Sequence, residues 1–373
     1  MHKLLLIIGI VLFVMAAGNI SGAGTLAVSQ TCGDADGDGA VNIRDVTFVI
    51  SFIYREGPAP VPVKAADVNN SGLVNITDVT YLINFLYRGG QRPNCSEYLG
   101  QLPPDSIPVV FAPGIISKTG YIEFASCFDP ALNEFYFTRR GGELPENRIF
   151  FTKKTDGVWS TPAIAPFAGD YMTFEPFISP DGLTLLFGSA QPCGYCQNLM
   201  RTNIWHFDKT ESGWSDIQPP EEPFCLIPTM FPTVSLNGNM YFTYATQGAI
   251  YMSEYVGGAY EPPVRLSSAI NKGYSTAHSY IAPDESYMIF DSEGRSDGFG
   301  AEDLYISFKN PDGSWTESVN LGNQINTSGI EFCPNVSPDG KYLFFSRVIS
   351  STEFEIYWCD TEFIDKWRLD YRR

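Results

Sequence analysis

The sequence predicts a multidomain chain, a small all-α domain followed by an all-β propeller of five blades. Three observations carry that expectation. Two copies of a twelve-residue loop rich in oxygen-bearing side chains lie within the first hundred residues, each running into an amphipathic stretch. From residue 108 onward a strand-turn-strand pattern returns five times, in steps of 50, 56, 47 and 55 residues. Aromatic residues make up 14% of the chain, which suits stacked hairpins better than helices.

The chain opens on a positive residue, Lys3, then an apolar run from Leu4 to Ala17 followed by small residues. That order reads as a secretory signal over residues 1–23, with cleavage after Ala17 or Ala23. The run is too short to span a bilayer comfortably, and no later segment is apolar enough to do so. A secreted, extracellular or periplasmic protein with no membrane span is therefore expected.

The first loop runs from Asp34 to Asp45 and the second from Asp67 to Asp78. Oxygen donors fall at loop positions 1, 3, 5, 9 and 12: Asp34, Asp36, Asp38, Asn42 and Asp45, then Asp67, Asn69, Ser71, Asn75 and Asp78. Gly39 and Gly72 occupy position 6, where the chain turns sharply. Position 7 lends only its carbonyl, so Ala40 and Leu73 serve there. This EF-hand-like spacing brings six to eight hard oxygen ligands round one ion, which makes Ca²⁺ the expected cofactor, one ion per loop and two in all. Position 12 is Asp in both copies, where the EF-hand pattern has Glu. Each loop leads into a helix with apolar residues at i, i+3, i+4 and i+7, Val46 to Arg55 and Val79 to Arg88.

Two such units, offset by 33 residues and sharing Val-Asn at positions 8 and 9, resemble a type I dockerin over residues 31–95. The resemblance implies docking to a cohesin-type module or another extracellular protein. Ile43, Arg44, Ile76 and Thr77 stand at the matching recognition positions. Arg44 and Thr77 differ, so the two possible faces are not equivalent.

The remaining composition narrows the function further. A net charge of −18 repels a phosphate backbone, so nucleic-acid binding is not expected. Eight cysteines in an exported chain favour disulfides. Cys32 and Cys95 bracket the doubled loop and read as a staple across it. Cys193 and Cys196 form a lone C-x-x-C. With only His206 and His278 as histidines beyond the leader, a disulfide is the expected state rather than a metal site.

Residues 96–107, with Pro103-Pro104 and Gly100, read as a linker. Residues 108–373 then carry the repeats, at Asp129-Pro130, Pro180-Asp181-Gly182, Asn237-Gly238, Pro283-Asp284 and Pro338-Asp339-Gly340. A second hairpin follows each copy, ending near Trp159, Trp214, Tyr260, Trp315 and Trp367. Four strands per fifty residues are a propeller blade. The stretch resembles WD-repeat-like propellers of the TolB type. The N-terminal piece, from Pro108, is expected to complete the last blade.

The expected axial mouth holds Glu123, Glu175, His278 and Glu331, with Arg139, Arg140, Asp291 and Arg347 across from them. Paired carboxylates there suit glycoside hydrolysis, which makes Glu175, Glu331 and Asp291 the catalytic candidates. Against this, Glu123 and Glu331 share one repeat position, as a structural bond would, and no nucleophile motif appears. The sequence therefore reads as a non-catalytic adaptor that docks through calcium and presents the propeller to a carbohydrate or peptide. The alternative is a dockerin-borne polysaccharide hydrolase.

Overall fold

A computed structural model describes residues 31–193, 202–211 and 213–371. The expected leader, residues 1–23, lies outside the described residues. No helix among the described residues is long and apolar enough to cross a membrane.

The front module holds two helices, α1 (Ile43–Tyr54) and α2 (Ile76–Arg88). Both begin in the same reciprocal cap. The Asn42 carboxamide oxygen accepts from Arg44 N at 2.8 Å, and the Asp45 carboxylate accepts from Asn42 N at 2.8 Å. Asn75 and Asp78 repeat the pattern at 2.8 and 2.9 Å. Such a box satisfies donors that a helix start leaves unpaired. Loop positions 9 and 12 therefore start each helix as well as lining each loop. The apolar stripes meet in a core of Val46, Val49, Val79 and Leu82, closed below by Ala65, Ala66 and Val68. The expected Cys32–Cys95 disulfide is present, with its Cα atoms 5.6 Å apart, and ties the two ends of the module together.

Behind it, antiparallel meanders follow one another along the chain. Their first strands are Ile122–Phe128, Thr173–Ile178, Thr229–Val234, Ser275–Ile281 and Glu331–Val336. Each first strand packs against the next, and the last against the first, so the five form a closed ring. The turn after each is where the sequence repeat lies. Apolar side chains between meanders build the core, from Phe135, Phe137 and Trp358 to Leu304, Ile306 and Phe345.

The fifth meander ends in Glu353–Asp360, and its outer partner is the chain's own Val109–Val110, pairing antiparallel as Val109 with Trp358 and Val110 with Tyr357. The expectation that the segment after Pro108 completes the last meander therefore describes this contact. The segment around Lys366-Trp367, expected as a strand, is instead helix α3 (Glu362–Tyr371). With Val109–Val110 already on that sheet edge no ladder partner is left for it, and Phe363 and Trp367 pack on each other with ring centroids 5.5 Å apart.

The segment 96–107 packs firmly despite its linker-like composition. Tyr98 is buried, its ring against Phe128, Tyr342 and Trp358, and its hydroxyl donates to Asp339 at 2.6 Å. Gln101 donates to Val110 O at 2.9 Å, while Leu102 joins the core of the helical module. Prolines and a glycine signalled flexibility, but one aromatic ring buried among others outweighs them. Tyr98→Ala is expected to lower the stability of the β domain by about 3 kcal/mol, to be read from its chemical unfolding midpoint.

Candidate functional site

In the first loop, backbone donors fold the carboxylates inward. Asp34 accepts from Gly39 N at 3.0 Å, Asp36 from Asp38 N at 3.1 Å, and Asp45 from Asp36 N at 3.2 Å. Oxygens of Asp34, Asp36 and Asp38 all lie within 4.8 Å of one another. Gly39 and Gly72 have φ of +88° and +84°, the left-handed conformation that the sharp turn demands. The second loop repeats the fold, with Asp67 accepting from Gly72 N at 2.9 Å and Asp78 from Asn69 N at 3.4 Å. The carbonyls of Ala40 and Leu73 face Asn42 and Asn75, accepting from their amides at 3.0 and 3.3 Å.

Burial raises Asp34 above the usual carboxylate range, and the charges of Asp36 and Asp38 add to it against the bond from Gly39. Burial likewise raises Asp45 and Asp78. Converging like charges in an all-oxygen donor set fit a hard divalent cation such as Ca²⁺.

The positions expected to meet a partner form a near-symmetric pair. Ile43 and Ile76 open their helices, and each is 48% exposed, large apolar side chains facing solvent. Their neighbours differ. Arg44 is exposed and bridges Asp38 at 3.3 Å, whereas the Thr77 hydroxyl is held between Asn75 and Asn69 at 2.6 and 3.1 Å.

The ring of first strands carries a second arrangement. Every one of these strands is bulged, and the residue at the bulge is left-handed: Ala125, Glu175, Phe231, His278 and Cys333, with φ of 47°, 55°, 50°, 44° and 52°. Each side chain is buried. Four of the five bulge N–H groups are accepted by a side chain of the preceding meander's second strand. Ser346 takes Ala125 N at 3.2 Å, Thr138 takes Glu175 N at 2.9 Å, Thr243 takes His278 N at 3.0 Å, and Asp291 takes Cys333 N at 3.0 Å. The remaining acceptor position is Gly188, which has no side chain, and there the Glu175 carboxylate reaches across to take Phe231 N at 2.8 Å. A Cβ at Gly188 would meet the Phe174 ring at 2.7 Å. Gly188→Ala is accordingly expected to cost about 1–3 kcal/mol of stability, measurable by thermal unfolding.

Glu175, His278 and Asp291 converge. His278 Nδ1 lies 2.9 and 3.0 Å from the two Asp291 oxygens, and His278 Nε2 lies 3.6 Å from Glu175 Oε1. Glu302 also hydrogen-bonds Asp291, and ligand atoms of His278, Asp291 and Glu302 all lie within 4.8 Å of one another. Burial pushes Glu175 up to about 7, with Asp291 adding to the rise and His278 and the Phe231 N–H opposing it. Burial also pushes Asp291 up to about 7, while Glu302 goes well above its usual range through burial and then the Asp291 charge.

Glu331 has other partners. Arg347 Nε donates to it at 2.8 Å and Thr327 Oγ1 at 2.7 Å. Glu123 stands at the equivalent position with Arg139 at 2.8 Å. The four acidic and histidine positions grouped at the mouth thus belong to two registers. Glu123 and Glu331 stand seven residues before the repeat proline, and Glu175 and His278 five. Counting back five from every copy also finds Cys333, which the sequence reading passed over. Glu302, on a third strand, has no such signal. Among the other sequence features, the N–H of Gly300 is taken by Asp303 at 3.1 Å, so that glycine-rich loop is closed on itself. Lys154, Lys209 and Lys309 sit over Trp159, Trp214 and Trp315, a repeated packing contact. Cys193 is disulfide-bonded, and Cys196 lies outside the described residues.

No curated protein matches the chain. Among solved structures, TolB from Acinetobacter baumannii is similar at 16% identity and a TM-score of 0.38, over 64% of this chain and 54% of that one. The chain thus spans about half the length of that relative. The catalytic domain of a GH62 α-L-arabinofuranosidase from Coprinopsis cinerea is similar at 12% identity and a TM-score of 0.44, over 70% of this chain and 98% of the other. An arabinanase from Bacillus subtilis is similar at 11% identity and a TM-score of 0.42, over 63% and 92%. The front module is matched by family: residues 32–87 match the Dockerin type I domain.

Proposed function

We propose that this chain is an exported adaptor that docks, in calcium, to a cohesin-type module through its helical domain and presents a five-bladed propeller as a binding surface. The observation that carries the docking half is the pair of loop-helix units with matched caps and outward Ile43 and Ile76. In this reading residues 31–95 dock, residues 96–107 brace the two domains, and residues 108–373 form the propeller. Two Ca²⁺ ions are held, one by Asp34, Asp36, Asp38, Ala40, Asn42 and Asp45, the other by Asp67, Asn69, Ser71, Leu73, Asn75 and Asp78. The ions neutralise the converging oxygens and so fix the start of each recognition helix.

Because the two faces are related by the repeat, either isoleucine alone sustains docking. Ile43→Asp or Ile76→Asp singly is expected to leave binding within about tenfold, and the double variant to weaken it on the order of a hundredfold. Surface plasmon resonance on a panel of cohesin-type modules reads this. Full binding by the double variant contradicts the proposed face.

Loop one carries four carboxylates and loop two only Asp67 and Asp78. Site two is therefore expected to bind calcium more weakly, as two separable steps in a calorimetric titration. Two equal steps contradict the charge argument.

A second reading, a polysaccharide-acting hydrolase, is favoured by one observation: Glu175 and Asp291 meet at His278. Sugar release from a plant polysaccharide panel by the full chain, lost in Glu175→Gln, would support it over the adaptor reading. No release from any substrate leaves the adaptor.

A further inference from the structure

The bulge positions of three first strands place unlike ligand atoms together on the axis of the β domain. A carboxylate oxygen of Glu175, a ring nitrogen of His278 and the sulfur of Cys333 all lie within 4.8 Å of one another, and all three side chains are buried. The bonding around them leaves one atom of each directed inward. Glu175 spends Oε2 on Phe231 N at 2.8 Å, which leaves Oε1. His278 spends Nδ1 on Asp291 at 2.9 Å, which leaves Nε2. Cys333 is a free cysteine, and no hydrogen bond to its sulfur is found among the described residues.

Nε2 and Oε1 are 3.6 Å apart. That is too long for a hydrogen bond and close to the separation of about 3.4 Å between two ligand atoms on one tetrahedral zinc. Asp291 behind the imidazole completes a carboxylate-histidine pair, the outer-shell arrangement that fixes the tautomer and turns the other nitrogen's lone pair to a metal. Asp291 is itself held by Cys333 N and by Glu302, so the support is built into the same strands. Two buried carboxylates, Glu175 and Asp291, face the one imidazole of His278, with the half-buried Glu302 close to both Asp291 and His278. A buried excess of negative charge of this kind is relieved by protons or by a cation.

We propose that Glu175 Oε1, His278 Nε2 and Cys333 Sγ form a three-ligand site for a zinc-class divalent cation, with a fourth position for water. The N, O and S donor set selects a borderline transition metal over the hard Ca²⁺ of the loops. Binding displaces the Cys333 thiol proton to solvent, and the thiolate becomes the third ligand. The site is independent of docking, so the failure of either reading leaves the other standing.

The test uses the full chain in excess Ca²⁺, which fills the oxygen loops, titrated with Co²⁺ as a spectroscopic probe. One equivalent is expected to give a thiolate-to-cobalt charge-transfer absorption, which oxygen loops cannot produce. Cys333→Ser is expected to abolish that band. Glu175→Gln keeps the sulfur, so the band should persist but need at least about tenfold more cobalt, as should Asp291→Asn. No thiolate band in the wild-type chain overturns the proposal, whatever the variants do. A band that survives in Cys333→Ser, or a half-saturation unmoved by Glu175→Gln, overturns it as well.

Discussion

Replacing Trp358 by alanine is expected to destabilise the β domain by about 3–5 kcal/mol, the largest effect of any single truncation considered. Trp358 is wholly buried, and its ring lies against Tyr98, Phe111, Tyr342 and Phe344 at centroid distances of 5.5, 5.2, 5.0 and 5.6 Å. It also pairs with Val109, so it sits where the two ends of the domain are joined. Removing it opens a cavity at the closure and withdraws the surface on which Tyr98 rests. The indole Nε1 has no acceptor among the described residues. Trp358→Phe therefore loses volume but also an unpaired donor, and its expected penalty is no more than half that of alanine. Denaturant unfolding of both variants checks this. Equal and small losses would show that the ring closes by other contacts.

Breaking the Cys32–Cys95 disulfide comes next in size. The two cysteines are 63 residues apart, and on the chain-entropy argument a loop of that length contributes about 4 kcal/mol by restricting the unfolded module. The helical core is small, so a loss of that size threatens the whole module. Cys32→Ser with Cys95→Ser is expected to lower the thermal midpoint of the helical domain steeply while the β domain melts as before. Saturating calcium should restore part of the loss, because a ligand bound only by the folded state stabilises it by mass action. A midpoint unchanged by the double substitution would show that packing alone holds the module.

The two oxygen-rich loops and the helices they start were the most legible part of the chain. Oxygen donors at fixed positions in a twelve-residue stretch are a local pattern, and nothing distant competes with it. The hairpin repeats were legible for the same reason, since Pro-Asp-Gly turns and aromatic strands are short-range signals. What escaped depends on three dimensions. The bulge that brings Glu175, His278 and Cys333 to one axis adds one residue to each first strand, and only strand pairing reveals it. Glu123 and Glu331 could be assigned to a structural bond from their shared repeat position, and Arg139 and Arg347 supply that bond. Glu302 enters from a third strand with no repeat signature. Near the end, Trp367 looked like one more strand tryptophan, yet Val109–Val110 had already taken the edge it needed. Tyr98 was hidden by prolines whose composition suggests a free linker.

Docking through calcium is the claim on which the function rests, and titration of the full chain with a cohesin-type module by calorimetry addresses it most directly. In millimolar-range calcium, a saturable one-to-one heat is expected, and the same titration in chelator should show none. Binding that persists unchanged in chelator, or no binding to any module of a broad panel in calcium, would contradict the account.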